Sequence, residues 1–308
     1  MTTRRQMLSA SLAAGAALAL PARFARASSK IQIGSVLAGT TIAAELMPKY
    51  LKEAGIDAEV LSFPNITQRM QALASGDVQI GYGSVNGAIL LASRGLKLSI
   101  LANACEGGGL MVGKPEIKGL ADLKGRKVAV QPGSLTQAAL QWKLKSLGLT
   151  DAVELLFLDV NNMPVALQKG QVDAILPFEP YATLARMNGF GHDIWYPYDT
   201  PMGRTNVVFV ASSDFVAREP ALAREVVRAH VRATQELQKD NSAAVDAIVK
   251  SLNLPREVAI ESLKNTFFVP DTTEKFEKSI IAVGQTMLET GMVTRLPDWS
   301  TFIDRRFV

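Results

Sequence analysis

The sequence predicts an α/β protein of two similar lobes, and three observations carry that expectation. Short apolar strands alternate with helical stretches of about 8 to 13 residues, the alternation runs through twice, and the last third of the chain is helical throughout. A length of 308 residues suits two domains. With 48% hydrophobic and 20% charged residues, the composition excludes disorder, collagen and coiled coil.

In the first lobe Ile31–Val36 reads as an apolar strand, 42–54 as a helix stopped at Gly55, and Ala58–Phe63 as a second strand. A helix over 67–74 ends at Ser75-Gly76-Asp77, a third strand follows over 78–82, then a helix over 86–93 and a strand over 98–104. The second lobe repeats the programme: strand Lys127–Val130, helix 135–147, strand 153–158, helix 163–169, strand 172–176, and a helix over 179–187. The segments Ala72-Leu73-Ala74-Ser75-Gly76-Asp77-Val78-Gln79 and Ala166-Leu167-Gln168-Lys169-Gly170-Gln171-Val172-Asp173 superpose as helix end, glycine cap and strand start. Each precedes the third strand of its lobe. After a strand over 207–211, helices are expected over 221–239, 243–251, 256–265 and 273–288, punctuated by Asn253-Leu254-Pro255 and Val269-Pro270-Asp271. The expected division is a leader over 1–27, a first lobe of 28–116 plus 204–308, and a second lobe of 117–203. The chain then crosses between lobes twice, which makes a hinge and a cleft.

Residues 1–27 read as an export signal. Arg4 and Arg5 form a twin-arginine pair, an uncharged run from Met7 to Leu20 follows, and Ala25-Arg26-Ala27 is an A-x-A cleavage box. The apolar run is shorter than the roughly 20 residues a membrane-spanning helix needs. Met7 replaces the Phe usual in twin-arginine motifs, so the general secretory route stays open. The expected location is the periplasm, with cleavage after Ala27.

The formal charge of +4 and pI near 9.1 point at first to an anionic partner. However, Arg4, Arg5, Arg23 and Arg26 lie in the leader, which contains no acid. From residue 28 onward 29 basic residues face 29 acidic ones, and the basic excess gives no support for nucleic acid. Trp142, Trp195 and Trp299 are isolated and do not interleave with Lys or Arg as a stacking platform would.

Open parallel sheets bind ligands beyond the carboxyl ends of their strands, where helix N-termini offer unpaired N–H groups to an anion. The loops at that edge are rich in small and polar residues. They supply Ala38, Gly39, Thr40 and Thr41; Asn65, Thr67 and Gln68; Gly83, Ser84 and Asn86; and Gly133, Ser134 and Thr136. Any one of these loops also reads as a simple helix N-cap. Phe178, Glu179 and Tyr181 add an aromatic face, a carboxylate and a phenol, with Glu179 able to cap a helix or meet the ligand. Arg69 and Arg204 are possible anion partners, but read alone they are surface or inter-lobe charges.

No catalytic constellation emerges. His192 and His230 have no second ligand at metal spacing, and neither a G-x-S-x-G elbow, a Walker A loop nor a G-x-G-x-x-G turn is present. The expectation is no catalytic residue, no metal and no cofactor. Cys105 is the only cysteine, which excludes an intramolecular disulfide, and its Gly107-Gly108-Gly109 neighbourhood reads as a flexible connection or an anion nest.

Several stretches resemble the periplasmic solute-binding proteins of ABC importers for aliphatic sulfonates, taurine, nitrate and thiamine-pyrimidine precursors. They are 72–81, Leu120-Ala121-Asp122-Leu123-Lys124-Gly125-Arg126 with the following strand, Pro132-Gly133-Ser134, 166–174 and Glu179-Pro180-Tyr181, in the family's order from about Ile31 to Ala211. The resemblance implies a type II periplasmic-binding-protein fold: two α/β lobes with mainly parallel sheets, two hinge crossings and a C-terminal helical segment. It also implies a non-enzymatic monomer that closes on a small organic anion, an aliphatic sulfonate first, and docks on an ABC permease served by a cytoplasmic ATPase. Nitrate, an aromatic carboxylate or a thiamine-pyrimidine precursor are the alternative ligands. Phe178 stands where a Trp is common, and Pro64-Asn65-Ile66-Thr67 departs from the usual Ser- or Gly-rich turn. The similar pyrimidine synthases carry a cysteine cluster that this chain lacks. The effector domain of a transcription regulator, which shares the fold, would need a DNA-binding segment where the export signal stands.

Overall fold

The structure, a computed structural model, describes residues 30–36, 39–63 and 66–307, with the side chains of Ile66 and Thr67 outside the description. The predicted leader therefore lies outside the described residues. Strands β1 (Ile31–Val36), β2 (Ala58–Phe63), β3 (Ile80–Ser84) and β4 (Leu98–Gly107) belong to one sheet, together with β10 (Thr205–Ser212) and β11 (Thr266–Phe268). Its order is β11-β4-β10-β3-β1-β2. The other sheet, ordered β7-β6-β8-β5-β9, contains β5 (Met111–Gly113), β6 (Lys127–Val130), β7 (Glu154–Phe157), β8 (Ala174–Leu176) and β9 (His192–Trp195).

Both sheets are mixed in their pairing, where the sequence led us to expect mainly parallel ones. Parallel triplets β2-β1-β3 and β7-β6-β8 form their centres. The antiparallel pairs involve β10, which pairs with β3 and β4, β5, which pairs with β8 and β9, and β11 at the edge beside β4. For β5 and β10 the reason lies in the crossings. A chain leaving one sheet at its carboxyl edge enters the other at the facing carboxyl edge, and so runs against the strands already there. Because β5 joins the second sheet, the first crossing falls at 107–110, upstream of the expected division at 116/117.

Helices α1 (Ala43–Glu53), α2 (Ile66–Ser75) and α3 (Val85–Ser93) follow β1, β2 and β3; α4 (Leu135–Ser146), α5 (Met163–Gln168) and α6 (Tyr181–Met187) follow β6, β7 and β8. The remaining helices are α7 (Ser213–Arg218), α8 (Pro220–Lys239), α9 (Ser242–Leu252), α10 (Arg256–Ser262), α11 (Glu274–Glu289) and α12 (Trp299–Phe302). Helix α1 buries Ala43, Ala44, Met47 and Leu51, a three-and-four spacing that faces β1 and α8. One apolar cluster runs from the first lobe into the second, joining Phe276, Ile280 and Val283 of α11 to Leu135, Ala138 and Ala139 of α4. The lobes thus share a core on one side of the cleft. Among the described residues no helix is long and apolar enough to cross a membrane.

Within the first lobe, buried His230 is fully satisfied. Its Nε2 bonds the Asn103 carbonyl at 2.8 Å, its Nδ1 the Tyr82 hydroxyl at 2.8 Å, and its ring stacks on Phe209. Burial lowers its pKa to about 4, so it is a neutral core residue. Cys105 is also buried, and burial pushes its thiol pKa up, away from nucleophile chemistry.

Candidate functional site

The carboxyl edges of the two parallel triplets face each other, and helix starts from both lobes meet between them. Ser84 caps α3 by accepting from the Gly87 N–H at 3.3 Å, and Ser134 caps α4 by accepting from the Gln137 N–H at 3.0 Å. Asn86, in the first turn of α3, donates its side-chain amide across the cleft to the Gly133 carbonyl just before α4. Two helix N-termini, each with a partial positive charge, are therefore held at one place by a bond between lobes.

Thr136 Oγ1 donates to the Leu176 carbonyl at 3.3 Å and lies 3.0 Å from Ser134 Oγ, which ties the start of α4 to the end of β8. Gly133 N–H donates to Gln137 Oε1 at 2.7 Å. Thr136 and Phe178 line a cavity of about 20 Å³ with Tyr198, Arg204 and Asn206, room for about one water. An organic anion needs far more space than that.

The remaining expected residues divide. Ala38 and Asn65 lie outside the described residues, as does the side chain of Thr67. Gly39 packs on α9: a Cβ there would stand 2.6 Å from Ile248 Cδ1, while Thr41 is buried and donates to the Val36 carbonyl. Thr40 and Tyr181 are half-buried and Gln68 is exposed. Gly83 lies in β3, where a Cβ would stand 2.5 Å from Arg69 Nη2, so its missing side chain makes room for the arginine. Glu179 acts as a cap: Thr183 N–H and Oγ1–H each donate to its carboxylate at 3.0 Å. Burial raises its pKa to about 7, against the bonds from Thr183 and the nearby Asn265 and Arg186. The Glu179–Pro180 peptide is cis.

Of the two arginines, Arg69 departs from the surface or inter-lobe reading, whereas Arg204 fits it. Arg69 has 0% exposure and is a buried residue of the first lobe. Arg204 is exposed at the return crossing, its guanidinium 5.1 Å from the Tyr198 ring centroid and 4.6 Å from that of Phe267, a cation–π stack between lobes. Gly107–Gly109 is neither a free linker nor an open nest. Gly107 N–H donates to the Arg204 carbonyl at 2.7 Å and Gly108 N–H to the Asn265 carbonyl at 2.7 Å.

Sequence reasoning missed the polar residues beside these crossings. Tyr198 donates to Asn265 Oδ1 at 2.6 Å, Asn265 Nδ2 to the Gly109 carbonyl at 3.3 Å, and Asn206 Nδ2 to the Gly107 carbonyl at 2.8 Å. Arg186 bridges Glu261 at 3.1 Å, joining α6 to α10. These are lone residues far apart in sequence, and no motif marks them. Among the described residues no group of three or more His, Cys, Asp or Glu is arranged to hold a metal.

A family model described as NMT1-like matches residues 30–253. The chain belongs to the NMT1-like family. It is 26% identical over 279 residues to the taurine-binding periplasmic protein of Escherichia coli K12, covering 84% of this chain and 86% of that protein. In structure it is similar to the periplasmic aliphatic sulphonate binding protein SsuA of Escherichia coli, with a TM-score of 0.79 at 20% identity over 90% of this chain and 92% of the other. The desulfurization enzyme DSZB shares the fold, with a TM-score of 0.67 at 16% identity over 90% of this chain and 97% of the other. The NMT1-like chain thus has the periplasmic-binding-protein fold, and its named sequence relatives are binding proteins rather than enzymes.

Proposed function

We propose that this NMT1-like protein is the periplasmic solute-binding component of an ABC importer. It captures a small organic anion, an aliphatic sulfonate such as taurine or an alkanesulfonate, by closure of two lobes, and delivers it to a membrane permease. The observation that carries this reading is the meeting of the α3 and α4 N-termini across the cleft, linked by Asn86 and Gly133. Such termini favour negative charge by about 0.3 to 1 kcal/mol each, and up to about 2 where partly buried. Ser84, Asn86, Ser134, Thr136 and Phe178 form the core of the proposed site, with Tyr181 and the 39–41 turn at its margin. The leader routes the chain out of the cytoplasm, by the twin-arginine pathway on the strength of Arg4-Arg5, with cleavage after Ala27.

The test is calorimetry and thermal shift on ligand-free protein with alkanesulfonates, taurine, nitrate, aromatic carboxylates and pyrimidines. The expected result is saturable binding of a sulfonate without chemical change. At about 100 times its dissociation constant the ligand stabilises the protein by about 2.7 kcal/mol. Absence of heat and of any shift across the panel refutes the reading, and recovery of an altered compound replaces it with an enzymatic one.

A further inference from the structure

Helix α2 buries Arg69, Met70, Ala72 and Leu73, so Arg69 sits on the face that packs against the sheet. Two glycines fix the course of its side chain. A Cβ on Gly34 would stand 3.2 Å from Arg69 Cγ, and one on Gly83 would stand 2.5 Å from Nη2. Gly34 pairs with Gly81 in the parallel register of β1 and β3, so Gly83 lies two residues, about 7 Å, nearer the carboxyl edge. The guanidinium is thereby carried along the sheet toward Ser84 and the N-terminus of α3.

Nothing there answers its charge. Nη2 lies against the Met70 sulfur, while Nε and Nη1, which between them carry three N–H donors, have no acceptor among the described residues. Every Asp and Glu of the chain lies within the described residues, yet burial alone moves the Arg69 pKa, down to about 9. Arg69 therefore remains a cation at neutral pH. A buried charge without a partner is strongly unfavourable, whereas an oxyanion on the same nitrogens makes charge-assisted bonds in a shielded setting.

We propose that Arg69 receives the anionic head group of the solute, a fully ionised oxyanion of the sulfonate or sulfate type, between its guanidinium and the N-terminus of α3. This rests on the reading that the cleft takes a small anion, and it assigns the formal charge in that site to one residue. Gly34 and Gly83 are the channel that delivers the guanidinium to the edge.

The test uses the full chain, purified free of ligand, with ethanesulfonate, taurine and inorganic sulfate as probes of wild type, Arg69→Gln, Arg69→Lys and Gly83→Ala. Arg69→Gln is expected to weaken ethanesulfonate about 10- to 100-fold and to abolish the sulfate-dependent rise in melting temperature. Without ligand it melts at or above the wild-type temperature, because an unpaired buried charge has been removed. Arg69→Lys retains part of the affinity, and Gly83→Ala loses affinity with the arginine still present. A purely structural arginine would instead lower the unliganded melting temperature and leave affinities within about twofold, and that result overturns the proposal. Sulfonate binding that survives Arg69→Gln removes this assignment while the solute reading stands. Sulfate stabilisation through Arg69, without binding of any sulfonate, does the reverse.

Discussion

Glu179 and His230 shift stability with pH in opposite directions, and replacing either one is expected to remove its own slope. The carboxyl of Glu179 is raised by burial from 4.5 to about 7, so between these values the folded protein holds a proton that the unfolded chain has released. Stability from this group is complete below pH 4.5 and falls as pH rises toward 7, by about 3 kcal/mol. His230 has the opposite sign. Its pKa is lowered by burial from 6.5 to about 4, so its contribution is complete above pH 6.5 and falls by about 3 kcal/mol as pH drops to 4. Across pH 4.5 to 6.5 the two slopes offset in the wild type. In Glu179→Gln, the Gln carbonyl can still accept from Thr183, the downward slope vanishes, and the variant is more stable than wild type by about 3 kcal/mol at pH 8 and equal to it near pH 4. The assay is urea unfolding at half-unit pH intervals, read as the difference between variant and wild type, which cancels the other carboxylates. A difference that stays constant from pH 4 to 8 refutes the assignment for Glu179. His230→Gln carries a fixed loss from its two hydrogen bonds, but relative to wild type it should recover about 3 kcal/mol between pH 6.5 and 4; a flat difference refutes the neutral core histidine.

Two further outcomes follow from the crossings. In Gly107→Ala the new Cβ would stand 2.5 Å from the Asn265 carbonyl at a φ of +79°, which costs about 2 to 4 kcal/mol and lowers the melting temperature by several degrees. A melting temperature within 1 °C of wild type, on a scale of about 2 to 4 °C per kcal/mol, would show that this crossing is not constrained as described. Asn86→Ala removes a shielded bond between lobes worth about 0.5 to 1.5 kcal/mol, shifting closure about 2- to 10-fold toward the open form. The shift is read as weaker solute affinity together with a larger radius of gyration in solution, and if neither moves the bond does not hold the lobes together.

Much of the fold was legible because the parallel strands carry their own signal. β1, β2 and β6 were expected at the residues where they occur, since each is an apolar run bounded by turn residues. By contrast, β5, β9 and β11 span three or four residues and exist through antiparallel partners, set for β5 and β9 by the lobe crossings and for β11 by the distant strand β4, which no local pattern encodes. The third strand was placed two residues early because Val78, buried like a strand residue, belongs to the turn that precedes it. At the site, Ser84 and Ser134 were readable as caps from their place before apolar helices. Arg69 carries a local signal of its own: it lies three and four residues before Ala72 and Leu73, in register with the buried face of α2. A charged residue at a core-facing position is the pattern that marks a buried ion.

The balance of charge decides how an anion can be attracted at all. From residue 28 onward the chain is formally neutral, and several of its surface charges sit in exposed ion pairs such as Lys278–Glu274 and Arg256–Asp246, which contribute little to any long-range field. Among the described residues Arg69 is the only buried lysine or arginine. Attraction to an overall field and capture by a buried guanidinium respond differently to salt. The first is screened beyond about 8 Å at physiological ionic strength, whereas the second acts at contact, away from mobile ions. Sulfonate affinity is therefore expected to change by less than about threefold between 50 and 500 mM sodium chloride, as measured by calorimetry. A steep loss would place the attraction on exposed charge and remove Arg69 from its assigned role, since chloride competing at a buried, shaped site is a far weaker rival than salt screening a surface.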